Sequence, residues 1–180
     1  MRKISVAEFI SLDGVVESPD DWHFPYVNDE MFAAMASGLA QADTLLLGRV
    51  TYETFAASFA NLPADDPVGA MMNRPTKVVV STTLTTLEWR NSLLLAGDAV
   101  EAIGRLKDQP GGNILITGST TLARTLLRVG LVDELDLLVH PVVVGAGARL
   151  FESQGPQVPL ALVECTAHSN GVIRQRYRMA

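Results

Sequence analysis

Three short runs in this sequence set glycine or small hydroxylated residues where an apolar run gives way to a helical pattern. They are Gly48-Arg49 with Thr51, then Ser81-Thr82-Thr83, then Thr117-Gly118-Ser119-Thr120-Thr121. Such junctions can bind anions, because free N–H groups and aligned peptide dipoles at a helix start favour negative charge. Glycine lets the backbone approach a phosphate, and the hydroxyls add donors. Arg49 adds a planar fork that matches phosphate oxygens. Each run alone fits ordinary helix capping equally well, since Ser and Thr are common caps. Their joint occurrence suits a ligand whose phosphates are spread over an extended shape, and a phosphorylated dinucleotide has that form.

Other chemistries find less support. Gly145-Ala146-Gly147 follows an apolar run, but Leu150 stands at the third glycine position of the dinucleotide fingerprint. The GxxxxGK phosphate loop and the GxSxG nucleophile elbow are both missing. His23, His140 and His168 are far apart in sequence and lack ligand spacing, so structural roles suit His140 and His168 better than metal binding. His23, beside Asp20, Asp21 and Trp22, either lines a pocket or decorates a loop. The lone Cys165 excludes an internal disulfide and fits a reducing compartment.

The elements that must position these residues follow from periodicity and punctuation. Strand-like runs cover residues 3–10, 44–47, 77–81, 92–96 and 113–117. Helical patterns cover a segment capped by Asn28, then 48–59, 99–106 and about 120–129, with 61–75 expected as loop. Ser11-Leu12-Asp13-Gly14 reads as a turn. A long strand interrupted at Pro141 is expected over 134–144. Strands 160–168 and 172–179 flank Asn170-Gly171, a hairpin signal for a type I′ turn with positive φ at both central positions. Strands alternating with helices favour a parallel sheet with crossovers, closed by an antiparallel hairpin. The expectation is one α/β domain over residues 1–180.

Composition agrees. Of 180 residues, 48% are hydrophobic and 19% charged, which supports a packed core rather than disorder. Fourteen Lys and Arg against 20 Asp and Glu leave a net charge of -6, so a broad nucleic-acid surface is not expected. No apolar run approaches a bilayer span, and the N-terminus lacks a cleavage signal, so the expected location is the cytoplasm.

Five segments in order, SVAEFISLDG, LLLGRVTYE, KVVVST, ILITGSTTLARTLL and GLVDELDLLVHPVVVGAGARLF, carry a family resemblance. The chain resembles the dihydrofolate-reductase-like superfamily over residues 3–178, closest to the branch of the riboflavin-biosynthesis reductase C-terminal domain. The resemblance implies a three-layer fold, a mixed and mostly parallel sheet with helices on both faces, and frequently a homodimer. It implies an NADPH-dependent reductase acting on a small pyrimidine- or pterin-like heterocycle, similar to 5-amino-6-(5-phosphoribosylamino)uracil reductase. By the same resemblance Gly48, Arg49 and Thr51 contact the cofactor phosphates, while Tyr52 and Glu53 are equally contacts or packing and helix-supporting residues. Ser81 and Thr82 lie near the adenosine 2′-phosphate, with Thr83 a further possibility. Thr117, Gly118, Ser119, Thr120 and Leu122 form the pyrophosphate turn.

The resemblance further sets Ala7 against the nicotinamide, and Gly14, Trp22 and Phe32 near the substrate. Asp13 is a candidate proton-handling group and equally a turn-forming Asp before glycine. A basic cluster for a ribose phosphate outside the cofactor segments is not evident, nor is the helix acid that binds folate in true dihydrofolate reductases. Two alternatives therefore stay open: a dinucleotide-binding module without catalysis, and a dihydrofolate reductase proper.

Overall fold

The structure is a computed structural model, and it describes residues 1–180 apart from 64, 152–154 and 156. β1 (Ile4–Ser11) alternates buried and partly exposed positions up to Ile10 and lies within the sheet rather than at its edge. It is followed by two short 3-10 turns (Pro19–Asp21 and Phe24–Tyr26) and α1 (Asp29–Gln41). Next come β2 (Ala42–Gly48), α2 (Arg49–Phe59), α3 (Pro67–Asn73), β3 (Thr76–Val80) and β4 (Ser92–Leu95). The chain continues through α4 (Ala99–Asp108), β5 (Asn113–Ile116), α5 (Thr120–Arg128) and β6 (Glu134–His140). It closes on the hairpin β7 (Leu160–Ala167) and β8 (Ile173–Met179).

All eight strands join one sheet in the order β4-β3-β2-β5-β1-β6-β8-β7. Pairings among β1 to β6 are parallel, while β8 is antiparallel to both β6 and β7. Leu45, Leu46 and Leu47 are all fully buried, as a parallel strand covered on both faces requires. Leu46 packs with Ile4, Val6, Ile116 and Ile103 of α4 and Leu126 of α5. Leu45 and Leu47 pack on the other face with Leu39 of α1, Tyr52 of α2 and Met72 of α3. Helices therefore cover both faces, and the expected three-layer α/β fold is what forms.

Three local expectations change. Within the expected 61–75 loop, α3 forms because the Asp66 side chain accepts the Gly69 N–H at 2.7 Å and Pro67 occupies its first turn. Seven residues are too few to show a clear helical period. The strand expected to 144 ends at His140, since Pro141 has no N–H for a ladder. The hairpin turn is not type I′. Gly171 has φ +85°, but Asn170 is absent from the positive-φ residues. His168 N–H donates to the Val172 carbonyl at 2.8 Å and Gly171 N–H to the His168 carbonyl at 3.0 Å, closing a three-residue loop. Among the described residues no helix is long and apolar enough to cross a membrane.

Candidate functional site

The sheet order decides which junctions meet. β5 lies between β1 and β2, so the turn after β5 emerges between their carboxyl ends, where open α/β sheets bind ligands. There Gly48 N–H donates to Ser119 Oγ at 3.0 Å, and Thr51 Oγ1 donates to the Gly118 carbonyl at 2.9 Å. Gly118 has φ +67°, and a Cβ on it would stand 3.1 Å from Thr51 Cγ2, so only glycine fits this turn without strain. Gly48 pairs with Val80 across β2 and β3, which brings Ser81-Thr82 to the same edge as Arg49. The three runs form one continuous rim.

Helix capping differs along that rim. Asn28, Asp66 and Asp98 cap α1, α3 and α4 by accepting the N–H of Met31, Gly69 and Glu101. The helices α2 and α5 have no side-chain cap. Ser119, at the cap position of α5, engages Gly48 instead. Two adjacent helix starts with N–H groups unclaimed by side chains suit an anion.

Individual residues take varied roles. Arg49 Nη1 meets Glu53 Oε2 at 2.8 Å, and both side chains are about half exposed. Tyr52 is buried, and its hydroxyl accepts the Trp89 N–H at 2.9 Å, consistent with packing. Ser81 Oγ accepts the N–H groups of Thr83 and Leu84 at 3.1 and 3.0 Å, and Thr82 is exposed. Thr117 and Thr120 are half-buried beside the turn. Leu122 packs against the core on the α4–α5 face of the sheet, so its side chain serves packing rather than the rim. Ala7 packs on the opposite face, with the core of α2 and α3.

Asp13 latches the turn after β1 to the segment after β6. Its Oδ1 accepts from Ser11 Oγ at 2.7 Å and Val144 N–H at 3.0 Å, and its Oδ2 from Gly145 N–H at 2.9 Å and Arg149 at 3.3 Å. These bonds, led by that from Ser11, hold its carboxyl well below the usual range. Gly14, at φ +87°, turns the chain beside it. On α1, Glu30 accepts the Ser169 N–H at 2.8 Å, so this acid anchors the C-terminal hairpin.

Trp22 and Phe32 part company. Phe32 is exposed along a shallow groove with Ala36, Met71 and Arg74. Trp22 is buried, donates to the Glu17 carbonyl at 3.1 Å, and presents its ring to His140 at 5.2 Å. It belongs to a stack that the sequence did not foreshadow. His23 and His140, read as separate, lie 6.2 Å apart between ring centroids, with Phe9 4.7 Å from His23 and Tyr26 5.5 Å from His140. Burial lowers the pKa of both, so both rings are neutral. No group of three or more His, Cys, Asp or Glu suited to a metal occurs among the described residues.

Sequence reasoning also missed Glu8. It occupies an inward position of β1, in series with buried Ile4, Val6 and Ile10, and one acid in an apolar strand face was the available signal. Its Oε2 accepts the Gly118 N–H at 3.0 Å, while Oε1 is buried without a partner among the described residues. Burial pushes its pKa up to about 8. A separate cleft lies at the amino ends of the strands, lined by Ser5, Glu134, Asp136, Arg174 and Arg176. Its arginines are neutralised, Arg174 by Asp136 at 2.5 Å and Arg176 by Glu164 at 3.1 Å, so it lacks the free positive charge that a phosphate would need.

Comparison with known proteins fits this frame. The chain is 28% identical to the uncharacterized protein YyaP of Bacillus subtilis (strain 168), covering 98% of this chain and 94% of the relative. It superposes on a putative riboflavin biosynthesis protein from Shewanella sp. PV-4 with TM-score 0.76 at 20% identity, covering 99% of each chain. A pyrimidine reductase-like protein from Corynebacterium diphtheriae gives TM-score 0.65 at 13% identity, over 99% of this chain and 92% of that one. Those two likenesses show the shared fold. The model of the RibD C-terminal domain matches residues 2–174, and the chain belongs to that family.

Proposed function

We propose that this chain is a single-domain, NADPH-dependent reductase of a small planar nitrogen heterocycle, pyrimidine- or pterin-like. The observation that carries the reading is the pair of helix starts, α2 and α5, left without side-chain caps and tied together through Gly48 and Ser119. Family membership supports the same reading. The donor set fits a dinucleotide. Backbone N–H groups in the uncapped first turns of α2 and α5 would hold the pyrophosphate, with Arg49, Ser81 and Thr82 toward the 2′-phosphate. When bound, the nicotinamide supplies a hydride. Ala7, Gly14 and Trp22 border the edge where the acceptor would lie, and the ring stack around His140 excludes water there. A soluble cytoplasmic enzyme, working as a homodimer on a small molecule, fits this reading.

Thermal melting with NADPH and with NADH tests it. A ligand that binds only the folded state raises the midpoint, so a larger rise with NADPH is expected. No rise with either at millimolar concentration sinks the reading. One observation favours the second reading, a dinucleotide-binding module without turnover: Asp13, the candidate proton-handling group, is ionised and latched. That reading predicts NADPH binding with no NADPH oxidation across pterins, flavin precursors and small imines.

A further inference from the structure

Glu8 poses a physical question that the proposed reaction does not answer. A carboxyl among aliphatic side chains is costly unless it is paired or neutral. Among the described residues no cation pairs with Glu8, and its one hydrogen bond comes from Gly118 N–H. The titratable groups of the surrounding elements are engaged elsewhere. Glu134, Asp136 and His140 of β6 pair with Ser5, Ala7 and Ser11, which puts them on the opposite sheet face from Glu8. Lys3 is paired with Glu134, Arg149 with Asp13, and Arg49 with Glu53. On α5, Arg124 donates to the Arg149 carbonyl, and Arg128 lies at the far end of the helix. β5 contributes no titratable residue.

A neutral carboxyl offers one acceptor and one donor. Here the acceptor fixes the Gly118 turn, and the donor oxygen has no protein partner among the described residues. That turn joins the two uncapped helix starts. We infer that Glu8 is a positioning acid for the dinucleotide: in its neutral form it holds the Gly118 turn and sets no charge beneath it, and in its ionised form it opposes the phosphates seated there. The inference rests on the proposed NADPH site and names a residue that makes NADPH binding depend on pH.

The sign follows from burial. The carboxyl is neutral below about 8 and ionises above it, so affinity is full at pH 7 and falls as pH rises. If only the neutral form binds, the dissociation constant rises on the order of tenfold between pH 7 and pH 9. The phosphates of NADPH are already ionised across that range. Buried Lys77 also has its pKa lowered, to about 8, so a Glu8→Gln variant is needed to separate the two.

Calorimetric titration of NADPH at pH 7, 8 and 9 is the test. Wild type should weaken about tenfold, while Glu8→Gln, which keeps an acceptor and a donor without charge, should bind like wild type at pH 7 and show no such slope. A flat wild-type profile, or an equal slope in Glu8→Gln, overturns the inference while leaving the cofactor reading standing. Absence of NADPH binding by wild type at pH 7 overturns both. Carboxyl carbon resonances of unmodified protein give a check that needs no variant. A Glu8 signal titrating between pH 4 and 5 also overturns the inference.

Discussion

Arg49 is the residue whose removal says most about the ligand. Its contact with Glu53 is an exposed pair one helical turn apart, worth about 0.3–0.5 kcal/mol. The guanidinium can therefore leave Glu53 for a phosphate at little cost. An Arg49→Ala variant should weaken NADPH on the order of tenfold, since a charge-assisted hydrogen bond contributes about 1.5–3 kcal/mol, and leave NADH nearly unchanged. Equal weakening of both moves Arg49 to the pyrophosphate, and no change in either removes it from the site. Titration of both cofactors against both proteins decides. Arg49 was legible in sequence because a charged residue directly after an apolar strand has few places to go. Glu8 was not legible, because its isolation depends on what β5, β6 and α5 bring around it.

The strand-to-helix junction behaves as an element of its own. Gly118 needs positive φ and lies close to Thr51 and Phe55. Gly118→Ala should therefore cost on the order of 1–3 kcal/mol of stability through backbone strain, read by denaturant unfolding, and should weaken NADPH in the same protein. Unchanged stability would mean the turn relaxes freely and is no rigid cradle. The strands and longer helices were readable because β2 and β5 carry the apolar runs 45–47 and 114–116, and because Asn28 and the Asp29-Glu30 pair mark the start of α1. The stack of Phe9, Trp22, His23, Tyr26 and His140 was not readable. It exists because β6 lies parallel beside β1, setting His140 level with Ser11, while the two 3-10 turns fold their rings over that edge. Both imidazoles are kept neutral by burial. Their folded pKa lies below the unfolded value near 6.5, so the unfolded chain binds more protons there and stability falls as pH drops below about 6.5. The slope is limited to about 1.4 kcal/mol per pH unit for each ring. A His140→Phe variant should flatten the fall in melting temperature between pH 7 and 5. An equal fall in the variant would show that His140 does not drive it.

At the scale of the whole molecule the sheet divides its labour. The strands from β4 to β1 carry the rim of junctions, and β6, β8 and β7 extend away from it. β7 ends the sheet and exposes Leu162 and Val163, at 59% and 55%, with Leu160 two residues before Leu162 on the same strand. An open strand edge flanked by apolar side chains invites pairing with another chain. A second copy of the same chain, related by a two-fold axis, covers such a surface on both molecules at once. Light scattering should therefore give twice the chain mass of 19.4 kDa, with a melting temperature that rises with protein concentration. Leu162→Asp should shift the mass toward the monomer, because it sets like charges close together across the interface. NADPH affinity in that variant should stay near wild type, since the rim belongs to strands on the other side of β1. A monomeric mass for wild type would show that β7 is tolerated as an open edge. A monomeric variant that lost NADPH as well would show that the partner completes the site, and the separation between the two halves of the sheet would then fail.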